Sequence, residues 1–253
     1  MKTTESADGT VIAYDRTGDG PPLIVSVGAF CTRRTFVPPE PLTSRFTVYT
    51  YDRRGRGDSG DTQPYAVERE YEDLAAVAAA TGEDAPFLYG HSSGAAVALR
   101  TAASGAARFA AIAAYEAPFD APEVPGDPAG HIRELVRTGR RGEAVMYWMS
   151  EVVRLPAEMT LPAPWMKALE PLTPTLPYDI ALTEGGVPFE ELARITAPVL
   201  ILGGAKSPTW FRRSVMDQTA ATPGARLVQV DGYDHNVPSE VISPILIDFF
   251  SRR

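Results

Sequence analysis

A nucleophilic hydroxyl, a base to take its proton and a carboxylate to orient that base would together open a carbonyl carbon to attack. In this chain the hydroxyl is Ser92, inside Gly90-His91-Ser92-Ser93-Gly94. That G-x-S-x-G run follows the apolar stretch 86–89 and precedes a run of small residues. A sharp strand-to-helix turn strains the central serine, and side chains two residues away on either side would collide, so glycines stand at 90 and 94. The helix start behind the turn offers free N–H groups and favours negative charge. The Ser93 amide is therefore expected to donate to a developing oxyanion.

The base follows by elimination among three histidines. His91 adjoins the serine, and the turn directs its side chain elsewhere, into packing. His131 lies in "AGHIREL", where a helix surface is the expected setting. His235 lies in "LVQVDGYDHNVPSE", in a Gly/Asp/Asn loop after an apolar run. If that run is a sheet strand, the loop lies at its carboxyl end, where ligands and catalytic groups gather. His235 is the expected general base.

The elements that must hold these residues read as an α/β protein. "LIVSV" (23–27), "FTVYTY" (46–51) and "PFLYG" (86–90) are short apolar runs of the kind found in strands buried on both faces. "FAAIAAYE" (109–116), "APVLILGG" (197–204) and "ARLVQV" (225–230) continue the set. Helical stretches at 68–82, 94–104 and near 208–222 alternate with them, which implies a parallel sheet covered on both sides. Gly82 is the expected cap of the first helix, and Pro244 is expected to mark the start of the last. "GTVIAYDRTGDGPP" alternates apolar and polar residues before a turn cluster, as an edge strand or hairpin does. Between 119 and 190 the rhythm breaks into proline-rich pieces around amphipathic helices, an insertion that reads as a cap.

Composition sets the outer limits. At 253 residues with 44% hydrophobic and 22% charged side chains, the chain can bury a sizeable core. A net charge of −8 argues against nonspecific nucleic-acid binding. The arginines at 53, 54 and 56, and those at 140 and 141, are expected on solvated faces or in local ion pairs. A single cysteine, Cys31, excludes an internal disulfide. With no apolar leader at the N-terminus and no run of 18 apolar residues, a soluble, cytoplasmic protein without membrane association is expected. No His/Cys cluster suggests a metal and no phosphate-cradling glycine loop with a lysine suggests a nucleotide, so no cofactor is expected.

With Ser92 and His235 in this order, the sequence resembles the α/β-hydrolase superfamily, in particular bacterial single-domain members with a helical lid. "YDRRGRGDSG" (51–60) is similar to that family's D-x-R-G-x-G-x-S loop, in which Asp52 would fix loop geometry. The resemblance implies an α/β-hydrolase fold, with its core at 1–118 and 191–253 and a cap at 119–190. It departs from the family in two places. Where members carry His-Gly before the oxyanion loop, this chain has Val27-Gly28, leaving backbone donors at Ala29 or Phe30, with Ala29 preferred. Where the family's acid follows the strand at 198–202, "ILGGAKSPTW" has no carboxylate before Asp217. Some haloalkane dehalogenases of this fold place a Glu at the end of the strand after the serine helix, which implies Glu116 here. Asp120 is a neighbouring alternative, and Asp234 is too close in sequence to turn onto its neighbour's ring. Those dehalogenases attack with an Asp where this chain has Ser92, and a serine favours acyl transfer.

The function so implied is hydrolysis of a carboxylic ester, or related acyl bond, of a small apolar or aromatic molecule through an acyl-enzyme on Ser92. Phe30, Trp148 and Trp165 are the expected pocket residues, with Met146, Tyr147 and Met149 beside them in the cap. The same scaffold also supports cyclisation, isomerisation or C–C cleavage, and a non-catalytic binding protein is a third class. Apolar surface on the cap would serve a homodimer as well as substrate entry.

Overall fold

The computed structural model describes residues 1–154 and 162–252. Its strands are β1 (Lys2–Glu5), β2 (Val11–Thr17), β3 (Pro22–Ser26), β4 (Thr47–Tyr51), β5 (Phe87–His91), β6 (Ile112–Tyr115), β7 (Val199–Gly204) and β8 (Arg226–Val230). They form one sheet in the order β1-β2-β4-β3-β5-β6-β7-β8. β1 and β2 pair antiparallel, as do β2 and β4, and every pairing from β4 to β8 is parallel. From β3 the chain first adds β4 on one side and then β5 on the other. The loops after β3 and β5 therefore diverge, which opens a crevice at the carboxyl edge.

The helices are α1 (Glu40–Thr43), α2 (Val67–Ala79), α3 (Ser93–Ser104), α4 (Pro128–Arg137), α5 (Arg141–Tyr147), α6 (Ala163–Leu169), α7 (Leu176–Thr183), α8 (Phe189–Leu192), α9 (Thr209–Ala221) and α10 (Ser239–Phe250). A π-helical turn, Trp148–Val152, extends α5, and a 3₁₀ turn, Glu170–Thr175, joins α6 to α7. Among the described residues no helix is long and apolar enough to cross a membrane.

Alternation along the central strands divides the core in two. Leu88, Ile112, Ala114 and Ile201 face α2 and α3, while Tyr89, Ala113, Tyr115, Leu200 and Leu202 face Leu246, Phe249 and Phe250 of α10. Both faces are buried, which is why these strands read as unbroken apolar runs. The stretch at 109–116 contributes only four strand residues, all buried.

Two expected boundaries differ. α2 is capped by Ala80 in a right-handed conformation, and Gly82 turns left-handed two residues later. α10 starts at Ser239 and runs through Pro244. The missing proline N–H removes one helical bond, yet Ile242, Leu246, Phe249 and Phe250 bury one face of the helix and hold it together. The segment between β6 and β7 also divides. Ile132, Leu135, Ala144, Trp148 and Leu176 make a small core of their own, whereas Leu182 and Leu192 join the main core.

Candidate active site

Ser92 follows β5 and caps α3 with φ 58° and ψ −131°, a left-handed backbone that a serine adopts only under constraint. Its N–H donates to Tyr115 O at 2.9 Å, which ties the turn to β6. A Cβ at Gly90 would lie 2.5 Å from Ala95 Cα, and one at Gly94 would lie 2.3 Å from Ser26 O. The expected steric reason for both glycines therefore holds. The loop after β3 also presses on the serine: a Cβ on Gly28 would sit 2.6 Å from Ser92 Cβ.

His235 lies beyond β8, and its Nδ1 is 2.8 Å from Glu116 Oε2. Glu116 follows β6 with φ 46°, and its N–H donates to Leu202 O at 3.0 Å. Its other oxygen, Oε1, accepts from Gly204 N–H at 2.8 Å. The carboxylate is sealed at 0% exposure while the imidazole keeps 27%, so the acid is shielded and the ring stays within reach of solvent. With the carboxylate accepting, Nδ1 carries the ring proton and Nε2 keeps its lone pair. The end of β7, which lacks a carboxylate, supplies a hydrogen-bond donor to Glu116 instead. Gly204 also lets the β7 end approach the histidine loop, since a Cβ there would lie 2.6 Å from Tyr233 O. Among the described residues neither alternative acid hydrogen-bonds the His235 ring. Asp234 accepts from Asn236 N–H at 2.9 Å, and Asp120 lies against Gly186.

Among the described residues the amides of Ala29 and Ser93 find no acceptor. Four non-glycine residues there have left-handed backbones, and three of them, Phe30, Ser92 and Glu116, follow the adjacent strands β3, β5 and β6. Strain of this kind costs roughly 1–3 kcal/mol per residue and persists where surrounding structure enforces it, most often at functional sites. Phe30 meets Trp148 edge to face at 6.0 Å between centroids. Trp165, on α6, is 47% exposed and makes no ring contact with either among the described residues. Met146 is exposed, and His131 lies on the surface of α4 against Tyr147.

A match to the model of the alpha/beta hydrolase family spans residues 23–241. The chain belongs to that family. An alpha/beta hydrolase from Sphaerobacter thermophilus is 42% identical, covering 98% of this chain and 100% of that one with a TM-score of 0.92. The N-formylmaleamate deformylase of Pseudomonas putida is 26% identical over 217 residues, 79% of this chain and 75% of that protein. An enol-lactonase from Burkholderia xenovorans shares the fold, with a TM-score of 0.75 at 18% identity over 99% of this chain and 100% of that one.

Several residues that organise this hydrolase's site carry no signal in the sequence. His91 Nε2 donates to the carbonyl oxygen of His235 at 2.9 Å, and Tyr115 Oη donates to that of Asp234 at 2.5 Å. Two neighbours on β5 and β6, paired in register, thus hold the histidine loop by consecutive carbonyls. Burial pushes the His91 imidazole down to about 3, so it stays neutral. Phe211 stacks on the His235 ring at 4.6 Å. The arginines of the 51–60 loop need a correction. Arg53, Arg54 and Arg56 are at most 1% exposed, in buried ion pairs and not on a solvated face. Arg53 grips Glu70 through two bonds, and Arg54 grips Asp73 likewise. Asp179 of α7 accepts from Arg53 at 2.8 Å, from Arg56 at 2.9 and 2.7 Å, and from Ser93 Oγ at 2.6 Å. Burial opposes that charge, but the two guanidiniums outweigh it and hold the carboxyl below the usual range. Asp52 fixes its loop as expected, accepting from the N–H groups of Arg33 and Asp58 at 2.7 and 2.9 Å.

Proposed function

We propose that this hydrolase cleaves a carboxylic ester of a small apolar or aromatic molecule, with Ser92 as nucleophile, His235 as base and Glu116 as the orienting acid. The observation that carries the reading is the 2.8 Å bond from His235 Nδ1 to a sealed Glu116, one strand away from a strained Ser92. His235 Nε2 takes the Ser92 proton as Oγ bonds to the carbonyl carbon. The resulting oxyanion accepts from Ser93 and Ala29 N–H. Collapse breaks the C–O bond, and His235 gives its proton to the departing alcohol. Water, deprotonated by His235, then adds to the acyl carbon and releases the acid and Ser92. No step calls for a cofactor. The Phe30–Trp148 contact beside the Ala29 loop supports an apolar acyl group under a helical cap.

A second reading, cleavage of an N-acyl or N-formyl amide, is favoured by the likeness to the deformylase. The same residues serve it, with His235 protonating an amine as the leaving group.

Fluorophosphonate labelling read by intact mass, with p-nitrophenyl butyrate turnover alongside, tests the nucleophile. Wild type takes one adduct and turns the ester over, and Ser92→Ala does neither. An adduct or turnover that survives Ser92→Ala sinks the assignment. An ester rate far below that on N-formyl amides selects the second reading.

A further inference from the structure

The buried arginine that follows Gly55 touches the site through one peptide group. Arg56 Nη1 donates to Gly28 O at 2.6 Å. That carbonyl belongs to the peptide whose nitrogen is Ala29 N. The one cis bond among the described residues is Gln63–Pro64, so the Gly28–Ala29 peptide is trans. In a trans peptide C=O and N–H point in opposite directions in one plane. A guanidinium fixed on Gly28 O therefore sets the direction of Ala29 N–H, and its charge polarises the peptide so that this N–H becomes a stronger donor.

Arg56 is itself locked. Its Nη2 bonds both oxygens of Asp179, and its Nε donates to Thr175 Oγ1 at 3.1 Å. Asp179 Oδ1 also accepts a hydrogen bond from the Ser93 hydroxyl at 2.6 Å. One buried carboxylate on α7 thus bonds Ser93 directly and reaches Ala29 through Arg56 and the Gly28 carbonyl.

We propose that Arg56 and Asp179 are positioning residues of the oxyanion hole, acting through the Gly28–Ala29 peptide and Ser93, and that they tie the hole to the helical segment between β6 and β7. This rests on the serine-hydrolase reading above. A hole formed this way loses transition-state stabilisation, and not ground-state binding, when the guanidinium is removed.

The test compares Arg56→Met, Arg56→Lys, Asp179→Asn and Thr175→Val in p-nitrophenyl butyrate turnover, in inhibition by an alkyl trifluoromethyl ketone, and in thermal melts. Arg56→Met is expected to lower kcat about 10- to 100-fold, part of what deleting a donor costs. KM should stay within about twofold while the inhibition constant of the ketone rises in step with the fall in kcat/KM. Arg56→Lys keeps the charge and retains more rate than Arg56→Met. Thr175→Val removes one partner of Arg56 and leaves its bonds to Gly28 O and Asp179, so its fall in kcat is expected to be smaller than that of Arg56→Met. Where Arg56→Met does not fold, Arg56→Lys and Asp179→Asn carry the test, each with a fall in kcat and a matching rise in the ketone constant.

Folded variants with wild-type kcat and ketone inhibition overturn the proposal, as does a loss confined to KM. A wild type that takes fluorophosphonate while the Arg56 variants behave normally overturns this inference alone. A wild type that takes no fluorophosphonate and turns over no ester removes the serine reading and this inference together.

Discussion

Replacing Glu116 by Gln changes almost no volume and should nearly abolish turnover. In the native site Oε1 accepts from Gly204 N–H and Oε2 faces His235 Nδ1. A glutamine keeps the first bond by placing its carbonyl oxygen toward Gly204, which turns its NH₂ toward Nδ1. Nδ1 must then be the lone pair, and the ring proton moves to Nε2, where it can no longer take one from Ser92. The flipped amide would restore the tautomer but set NH₂ against Gly204 N–H, leaving a buried donor unpaired at about 1–3 kcal/mol. The wrong tautomer therefore dominates. The same change in a serine-protease triad costs about 10⁴ in kcat, roughly 5.5 kcal/mol at 1.36 kcal/mol per decade. Saturating p-nitrophenyl butyrate rates with a thermal melt measure this, and Asp120→Asn and Asp234→Asn should retain their rates. A folded Glu116→Gln that loses less than about tenfold in kcat would refute the tautomer argument.

Two further outcomes follow from the packing. Gly28→Ala drives a methyl to 2.6 Å from Ser92 Cβ and 3.3 Å from His91 O, neither of which is the free end of a flexible chain. It should cost about 1–3 kcal/mol in urea unfolding and lower kcat more than KM, and wild-type behaviour in both would show that the loop yields. His91 makes stability depend on pH. The unfolded chain takes up a proton near the ordinary histidine value, whereas the folded ring resists until about 3. Stability is thus full above the unfolded value and falls as pH drops, by roughly 2 kcal/mol between pH 7 and pH 5. His91→Gln, which keeps a donor for His235 O, should lose that part of the slope in urea midpoints, and an unchanged slope would exclude His91 as its source.

The sequence alone determined what local chemistry determines. The glycines around Ser92 are a steric necessity of the turn and stand within five residues of one another. Strands buried on both faces leave an unbroken apolar signature, so the alternation of strands and helices was legible, as was the carboxyl-edge loop that holds His235. Resemblance to one branch of the fold pointed to Glu116, but spacing could not choose between it and Asp120. What separates the two is that β6 lies between β5 and β7, where Gly204 N–H and His235 Nδ1 converge on the Glu116 carboxylate. Three arginines within four positions gave no hint of being buried, because a charge enters a core only when partners far along the chain meet it there. Asp179 lies 126 residues from Arg53 and 86 from Ser93, and only the tertiary structure brings them within hydrogen-bonding distance. The same holds for His91, whose carbonyl partner is 144 residues away. Short-range sterics and periodicity are written in order along the chain, whereas the partners of a buried charge or a backbone carbonyl are fixed only when the sheet assembles.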